Sequence, residues 1–213
     1  MSLVLEKEDK MISFFLRSIG PWKNYIIISG GFAPIIYKLY LSDQKSGINP
    51  VGTRDLDSLI PHTISNIDDK KLLQYLLDSG FKPIFKDLDI PATESYIKEI
   101  DGVELEVEFL TSTNMRKKDN KNITISGVVA QPLKYLELSI QSSIEFITNS
   151  NEIGLVVRPE VWIFHKGLTF TRRLSNAKKY KDLYGIWYVS SQLGEFSNRT
   201  IAEINNLAVL FLG

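Results

Sequence analysis

Asp55 and Asp57 stand one residue apart in the run Thr53-Arg54-Asp55-Leu56-Asp57. Side chains alternate along a strand, so both carboxylates share one face and Leu56 takes the other. Two adjacent carboxylates repel each other unless a cation lies between them. Oxygen ligands of this sort suit Mg²⁺, above all where a nucleotide's phosphates complete the shell. A third ligand is sought in residues 103–110, where Val103, Leu105, Val107 and Phe109 alternate with Glu104, Glu106 and Glu108. The apolar set faces the core and the glutamates face away from it. Periodicity does not choose among the three. A site at the mouth of a sheet favours the residue nearest the strand end, Glu108. Glu104, about 13 Å away at ~3.3 Å per residue, is expected on the surface.

The second feature with chemical content is Ser29-Gly30-Gly31. It closes the β-branched run Tyr25-Ile26-Ile27-Ile28, which reads as a strand buried on both faces. Glycines let a ligand approach the backbone closely. Phe32, Ile35, Ile36, Leu39 and Tyr40 then recur at helical spacing, which would aim a helix N-terminus at the glycines and at a phosphate. Residues 41–52 read as loop, placing Thr53 and Arg54 near the same phosphate.

The elements that position these groups follow from composition and periodicity. The chain has 213 residues, 44% apolar and 23% charged, enough for a substantial core. Lys plus Arg and Asp plus Glu both count 25, so overall charge does not point to nucleic acid. There is no cysteine, which excludes disulfides and thiolate metal sites and makes the cytoplasm the expected location. Residues 1–10 do not resemble a signal peptide, and no apolar run reaches the ~20 residues of a membrane span. A helix over 10–18 is expected to cover the sheet edge, and a second helix runs over 68–79. Further strands are expected at 56–60, 81–84, 96–100 and 127–130. His62 reads as a loop residue. The 111–122 loop holds Arg116, Lys117, Lys118 and Lys121 against Asp119, a mobile turn or a means of steering an anionic substrate.

From Gln131-Pro132 the pattern reads as helical, broken near 149–154, with helices over 159–173, 176–194 and 197–212. The expected division is a sheet domain over 1–131 and a helical domain over 132–213. Between Arg158 and Asp182 there are seven Lys or Arg and two acids, a local excess of five positive charges in a neutral chain. A basic half facing an acidic site suits a magnesium–nucleotide ligand. His165 and Lys166 sit inside the apolar 161–168 segment.

The order of strand, Gly-Gly, helix, D-x-D strand and later acidic strand resembles the nucleotidyltransferase fold of the DNA polymerase β type. The second half narrows the likeness. Val107-Glu108-Phe109-Leu110-Thr111, Gln131-Pro132-Leu133, Arg158-Pro159-Glu160, His165-Lys166 and Lys181-Asp182-Leu183 are similar to a bacterial family related to the AbiEii abortive-infection toxins. The likeness spans about 26–183 and implies an α+β fold, a nucleotidyltransferase-type mixed β-sheet with flanking helices followed by a helical C-terminal domain. It implies one or two Mg²⁺ held by Asp55, Asp57 and Glu108, with nucleotide phosphates on Ser29, Gly30 and Gly31. Lys166, Lys178, Lys181 and Asp182 would close over the nucleotide. Tyr184-Gly185 departs from the small residue and glutamine expected there.

The implied activity is transfer of a nucleoside monophosphate from an NTP to an acceptor that is an RNA, a protein or a small molecule. The alternatives are a nucleotide-binding module without turnover and a toxin held off by a cognate antitoxin. A D-x-D glycosyltransferase needs a longer nucleotide-binding half before Asp55. No membrane partner is expected.

Overall fold

The strand expected at 25–28 contracts to β1 (Ile27–Ile28), because Gly20–Asn24 winds as a 3₁₀ turn just before it. In this computed structural model, which describes residues 5–43, 47–64, 67–87, 91–113 and 121–212, β1 is an inner strand of a mixed sheet. β2 (Asp55–Leu59) pairs antiparallel to β1 on one side. β5 (Val103–Ser112) pairs parallel to β2. β3 (Lys82–Phe85) and β4 (Glu94–Ile100) extend the sheet beyond the N-terminal part of β5. The C-terminal part of β5 pairs instead with β7 (Val128–Leu133), which carries the short β6 (Ile123–Ile125).

Two expectations are corrected here. Gln131 and Pro132 do not open a helix: they continue β7, with Pro132 opposite Thr111 of β5. Proline lacks the N–H that a central strand needs, but β6 pairs only as far as Ala130, so Pro132 lies where β7 has an open side. The helix that follows, α4 (Glu137–Gln141), is a single short turn. The second correction concerns 143–157, which forms the hairpin β8 (Ser143–Ile147) and β9 (Ile153–Val157). β9 lies parallel to β1. A short apolar run does not distinguish strand from buried helix by periodicity. The sheet therefore continues beyond residue 131, and the helical part begins at Pro159 with α5 (Pro159–Thr169), α6 (Asn176–Ser191) and α7 (Glu195–Leu212).

α1 (Glu6–Ser18) presents Met11, Ile12, Phe15 and Leu16 to the core. It crosses a face of the sheet rather than covering its edge. Phe14 lies 6.0 Å from the Phe81 ring beside β3, and Leu16 reaches Gly154 on β9. α2 (Phe32–Ile36) is buried throughout and runs on into a π turn over Tyr37–Leu41. Tyr37 donates its hydroxyl to the Val157 carbonyl at 2.6 Å and lies 5.4 Å from the Phe196 ring, joining α7 to the sheet. α3 (Leu72–Asp78) packs Leu72 and Leu76 inward. No helix among the described residues is long and apolar enough to cross a membrane.

Gly154 tests the hairpin. A Cβ there would lie 2.8 Å from Cζ of Phe146 and 2.9 Å from Cδ1 of Leu16. Gly154→Ala is therefore expected to destabilise the protein by about 1–3 kcal/mol, the usual cost of overpacking. Urea unfolding measures this, and an unchanged midpoint would contradict the packing of α1 on β9.

Candidate active site

Parallel pairing of β2 and β5 sets Asp55 opposite Glu106 and Asp57 opposite Glu108. The alternation of both strands then puts four carboxylates on one face, two by two, while Leu56 and Val107 are fully buried on the other. Register makes the choice that periodicity leaves open: Glu108 is Asp57's neighbour and Glu106 is Asp55's. Glu104 pairs with Glu99 of β4, is exposed and lies outside the cavity, as expected.

Such a grid needs compensating charge, and the nearest comes from Lys86, just past β3. Its Nζ is 2.6 Å from Glu106 Oε1 and forms an ion pair with Glu108. Partial burial works against the Lys86 ammonium, but the two glutamates outweigh it and hold its pKa above the ordinary value. Lys86 in turn holds the Glu106 carboxyl below the usual range. Asp57 is pushed up to about 6, first by burial; Glu108 and Asp55 add to the rise while Lys166 and Arg173 oppose it.

The glycine turn presses against this grid. Gly30 has φ +58°, and a Cβ on it would lie 1.7 Å from Asp57 Oδ2. The Ser29 N–H donates to the Asp57 carbonyl at 2.8 Å. The Gly30 carbonyl accepts from Trp162 Nε1 at 2.9 Å, tying α5 to the turn. Ser29 and Gly30 thus lie behind the cavity and shape Asp57, rather than lining the space where they were expected to meet phosphate. Gly31 does line it, beside Thr53, whose Cγ2 would be 2.8 Å from a Gly31 Cβ.

The opposite wall comes from α5, α6 and the turn between them. Lys166, Lys178, Lys181 and Asp182 face a cavity of about 330 Å³ together with Asp55, Asp57 and Glu108. Arg54 does not, although its neighbours Thr53 and Asp55 do. Asp182 is buried and accepts from Lys166 Nζ at 2.8 Å and from Arg173 Nε at 3.0 Å. Burial raises its pKa, yet the two cations win and the net shift is downward. Gly185 faces Trp162, where a Cβ would sit 2.8 Å from Cη2, so a bulkier residue there would force the two helices apart. Tyr184 donates to the Asn49 carbonyl at 2.9 Å and Tyr188 to that of Ile48 at 3.3 Å, holding the 47–53 loop so that Pro50 and Val51 complete the rim.

His165 does not line the cavity; burial, then Lys166 and Arg173, push its imidazole down to about 4. Arg116, Lys117 and Lys118 lie outside the described residues. Lys86, Arg173 and Trp162 are additions that the sequence did not single out as site residues, and Tyr184, noted there only as a departure from the family pattern, lines the cavity as well. Arg173 belongs to the basic run, but nothing local marks Lys86. As a donor set, Asp55, Asp57 and Glu108 offer carboxylate oxygen alone, which suits a hard cation. As they stand, no three acidic or histidine groups among the described residues are close enough to hold a metal ion, and Lys86 occupies Glu106 and Glu108.

The raised Asp57 carboxyl has a sign. The folded state favours its protonated form, so this stabilising contribution is complete below pH ~4 and disappears as pH rises through about 6. In buffer free of divalent cations, Asp57→Asn is expected to exceed wild-type stability by roughly 1–3 kcal/mol at pH 7.5 and to match it at pH 4. Urea melts at the two pH values measure this; equal stability at both would contradict the partial burial of Asp57 beside its acidic neighbours.

A crystal structure of an antigenic nucleotidyltransferase-like protein from Paracoccidioides brasiliensis has a similar fold, with a TM-score of 0.56 at 16% identity over 95% of this chain and 88% of that one. A solution structure of the antibiotic-resistance factor ANT(2'')-Ia aligns with a TM-score of 0.44 at 11% identity, over 95% of each chain. No curated protein matches the sequence. A family model described as "Nucleotidyltransferase" matches residues 12–206, a span that takes in both walls of the cavity. The chain therefore belongs to the nucleotidyltransferase family.

Proposed function

We propose that the protein transfers a nucleoside monophosphate from an NTP to an acceptor hydroxyl in the cavity between the carboxylate grid and the basic helices. One observation carries this reading: a single cavity with Asp55, Asp57, Glu106 and Glu108 on one wall and Lys166, Arg173, Lys178 and Lys181 on the other. A triphosphate needs the second wall, and a cation bridging it to the protein needs the first.

Asp55, Asp57 and Glu108 would hold Mg²⁺, as one ion or two. When bound, it would polarise the phosphoryl oxygens and offset charge on attacking and leaving groups. Lys178 and Lys181 would engage the β- and γ-phosphates. Lys166, fixed by Asp182, would neutralise charge on the departing pyrophosphate. The acceptor oxygen forms a bond to the α-phosphorus as the bond to pyrophosphate breaks, and Glu108 receives the hydroxyl proton. Gly31 and Thr53 would flank the phosphates where the turn meets β2. Pro50, Val51 and Tyr184 offer the nucleoside an apolar rim.

The finer kinship with AbiEii-type abortive-infection toxins belongs to the same reading. On it the acceptor is an RNA, a protein or a small molecule, and a cognate antitoxin would restrain the activity.

A ligand that binds only the folded protein stabilises it by ~2.7 kcal/mol at about 100 times its Kd, a shift of several degrees in Tm. Melts with each of the four NTPs and Mg²⁺ are expected to show this shift for at least one. Asp55→Asn with Asp57→Asn is expected to remove its Mg²⁺-dependent part. No shift with any NTP at millimolar concentration would refute nucleotide binding.

Transfer itself is read from α-labelled NTP incubated with candidate acceptors. Lys166→Met is expected to lower the rate by about 10²-fold, the scale for loss of one charge-stabilising donor. An undiminished rate would remove Lys166 from the reaction.

A further inference from the structure

Lys86 has no place in the reaction just described, yet it makes the tightest contacts to the carboxylate grid. Its Nζ lies against Glu106 and Glu108 together, and all three line the cavity with Asp55 and Asp57. We propose that Lys86 is a built-in occupant of the cation position, and that a divalent ion enters the grid by displacing the Lys86 ammonium. The inference rests on reading the grid as a cation site.

Three features make Lys86 suited to exchange. Its backbone is anchored, since its N–H donates to the Thr93 carbonyl at 2.8 Å and the Thr93 N–H to Asp87 Oδ1 at 2.9 Å. Its side chain remains 37% exposed, so water is a direct exit for the ammonium. Lysine is also a point charge on a flexible stem, without the planar fork that would lock an arginine onto two carboxylates. While Lys86 is in place, it draws Glu106 and Glu108 to itself. This accounts for the lack, among the described residues, of any three acidic groups poised around one point. A dication brings twice the charge of the ammonium to four carboxylates, so replacement is favourable once the ion is present at sufficient concentration. Without the ion, Lys86 keeps four like charges from splaying the β2–β5 pair.

The test uses MgCl₂ and MnCl₂ alone, without nucleotide, at constant ionic strength, read by titration calorimetry and by melting. Lys86→Met is expected to melt lower than wild type in EDTA, to gain more on addition of either ion, and to bind the ion about three- to tenfold more tightly. Lys86→Arg is expected to bind it more weakly by a similar factor, and keeps the inference testable if the methionine variant does not fold. Lys82→Met, the same charge change at an exposed position on β3 outside the cavity, is expected to leave affinity unchanged. Equal affinity in wild type and both Lys86 variants overturns the inference while leaving the cation site standing. An equal gain from Lys82→Met also overturns it, as an effect of overall charge. Binding by neither wild type nor variants overturns both the inference and the cation-site reading.

Discussion

Like charges held side by side are the constraint to which the rest of the molecule answers. Five backbone pairs between β2 and β5 place Asp55 by Glu106 and Asp57 by Glu108, and the register cannot slip without exposing Leu56 and Val107. The hydrophobic face thus enforces an arrangement that electrostatics alone would disperse. Compensation arrives from two directions: Lys86 from the strand side, and Lys166 on α5 and Arg173 in the turn after it from the other. Asp57 shows that the compensation is incomplete, since burial and its acidic neighbours still raise its proton affinity.

The helical part is coupled to the grid through a short chain of contacts. Trp162 bonds to the Gly30 carbonyl, and Gly30 leaves the room in which the Asp57 carboxylate sits. Gly185 gives the Trp162 ring its place against α6, the helix that carries Lys178, Lys181 and Asp182. Movement of α6 would therefore be felt at Asp57 through one indole ring. The tyrosines on the same helix hold the 47–53 loop, so both the rim and the basic wall depend on how α6 packs.

Asp182 illustrates why the basic wall is not simply a set of solvated lysines. Its carboxylate is buried and holds Lys166 and Arg173 together, which fixes where Lys166 points and restrains two long side chains that would otherwise lose entropy on meeting a ligand. Among the described residues Lys178 and Lys181 have no carboxylate tether of this kind, so their ordering cost falls at the moment of binding.

Alternation by itself determined that Asp55 and Asp57 lie on the same side of their strand and Glu104, Glu106 and Glu108 on the same side of theirs, because a period of two is a local property of the chain. The glycine turn, the helices of the C-terminal part and the run of basic residues were legible for the same reason: each is written within a few turns of backbone. Four things were decided only by tertiary structure. Which glutamate stands beside Asp57 depends on the register of strands far apart in sequence. The β8–β9 hairpin became strand because β1 offered it an open edge, whereas its apolar run fits either element. Gly30 turned out to make room for a carboxylate, a contact between residues 27 positions apart. Lys86 reaches Glu108 across 22 residues and two strand pairings. A lysine at the end of an exposed strand carries no local mark of that role, because the field it answers is created only when the strands meet.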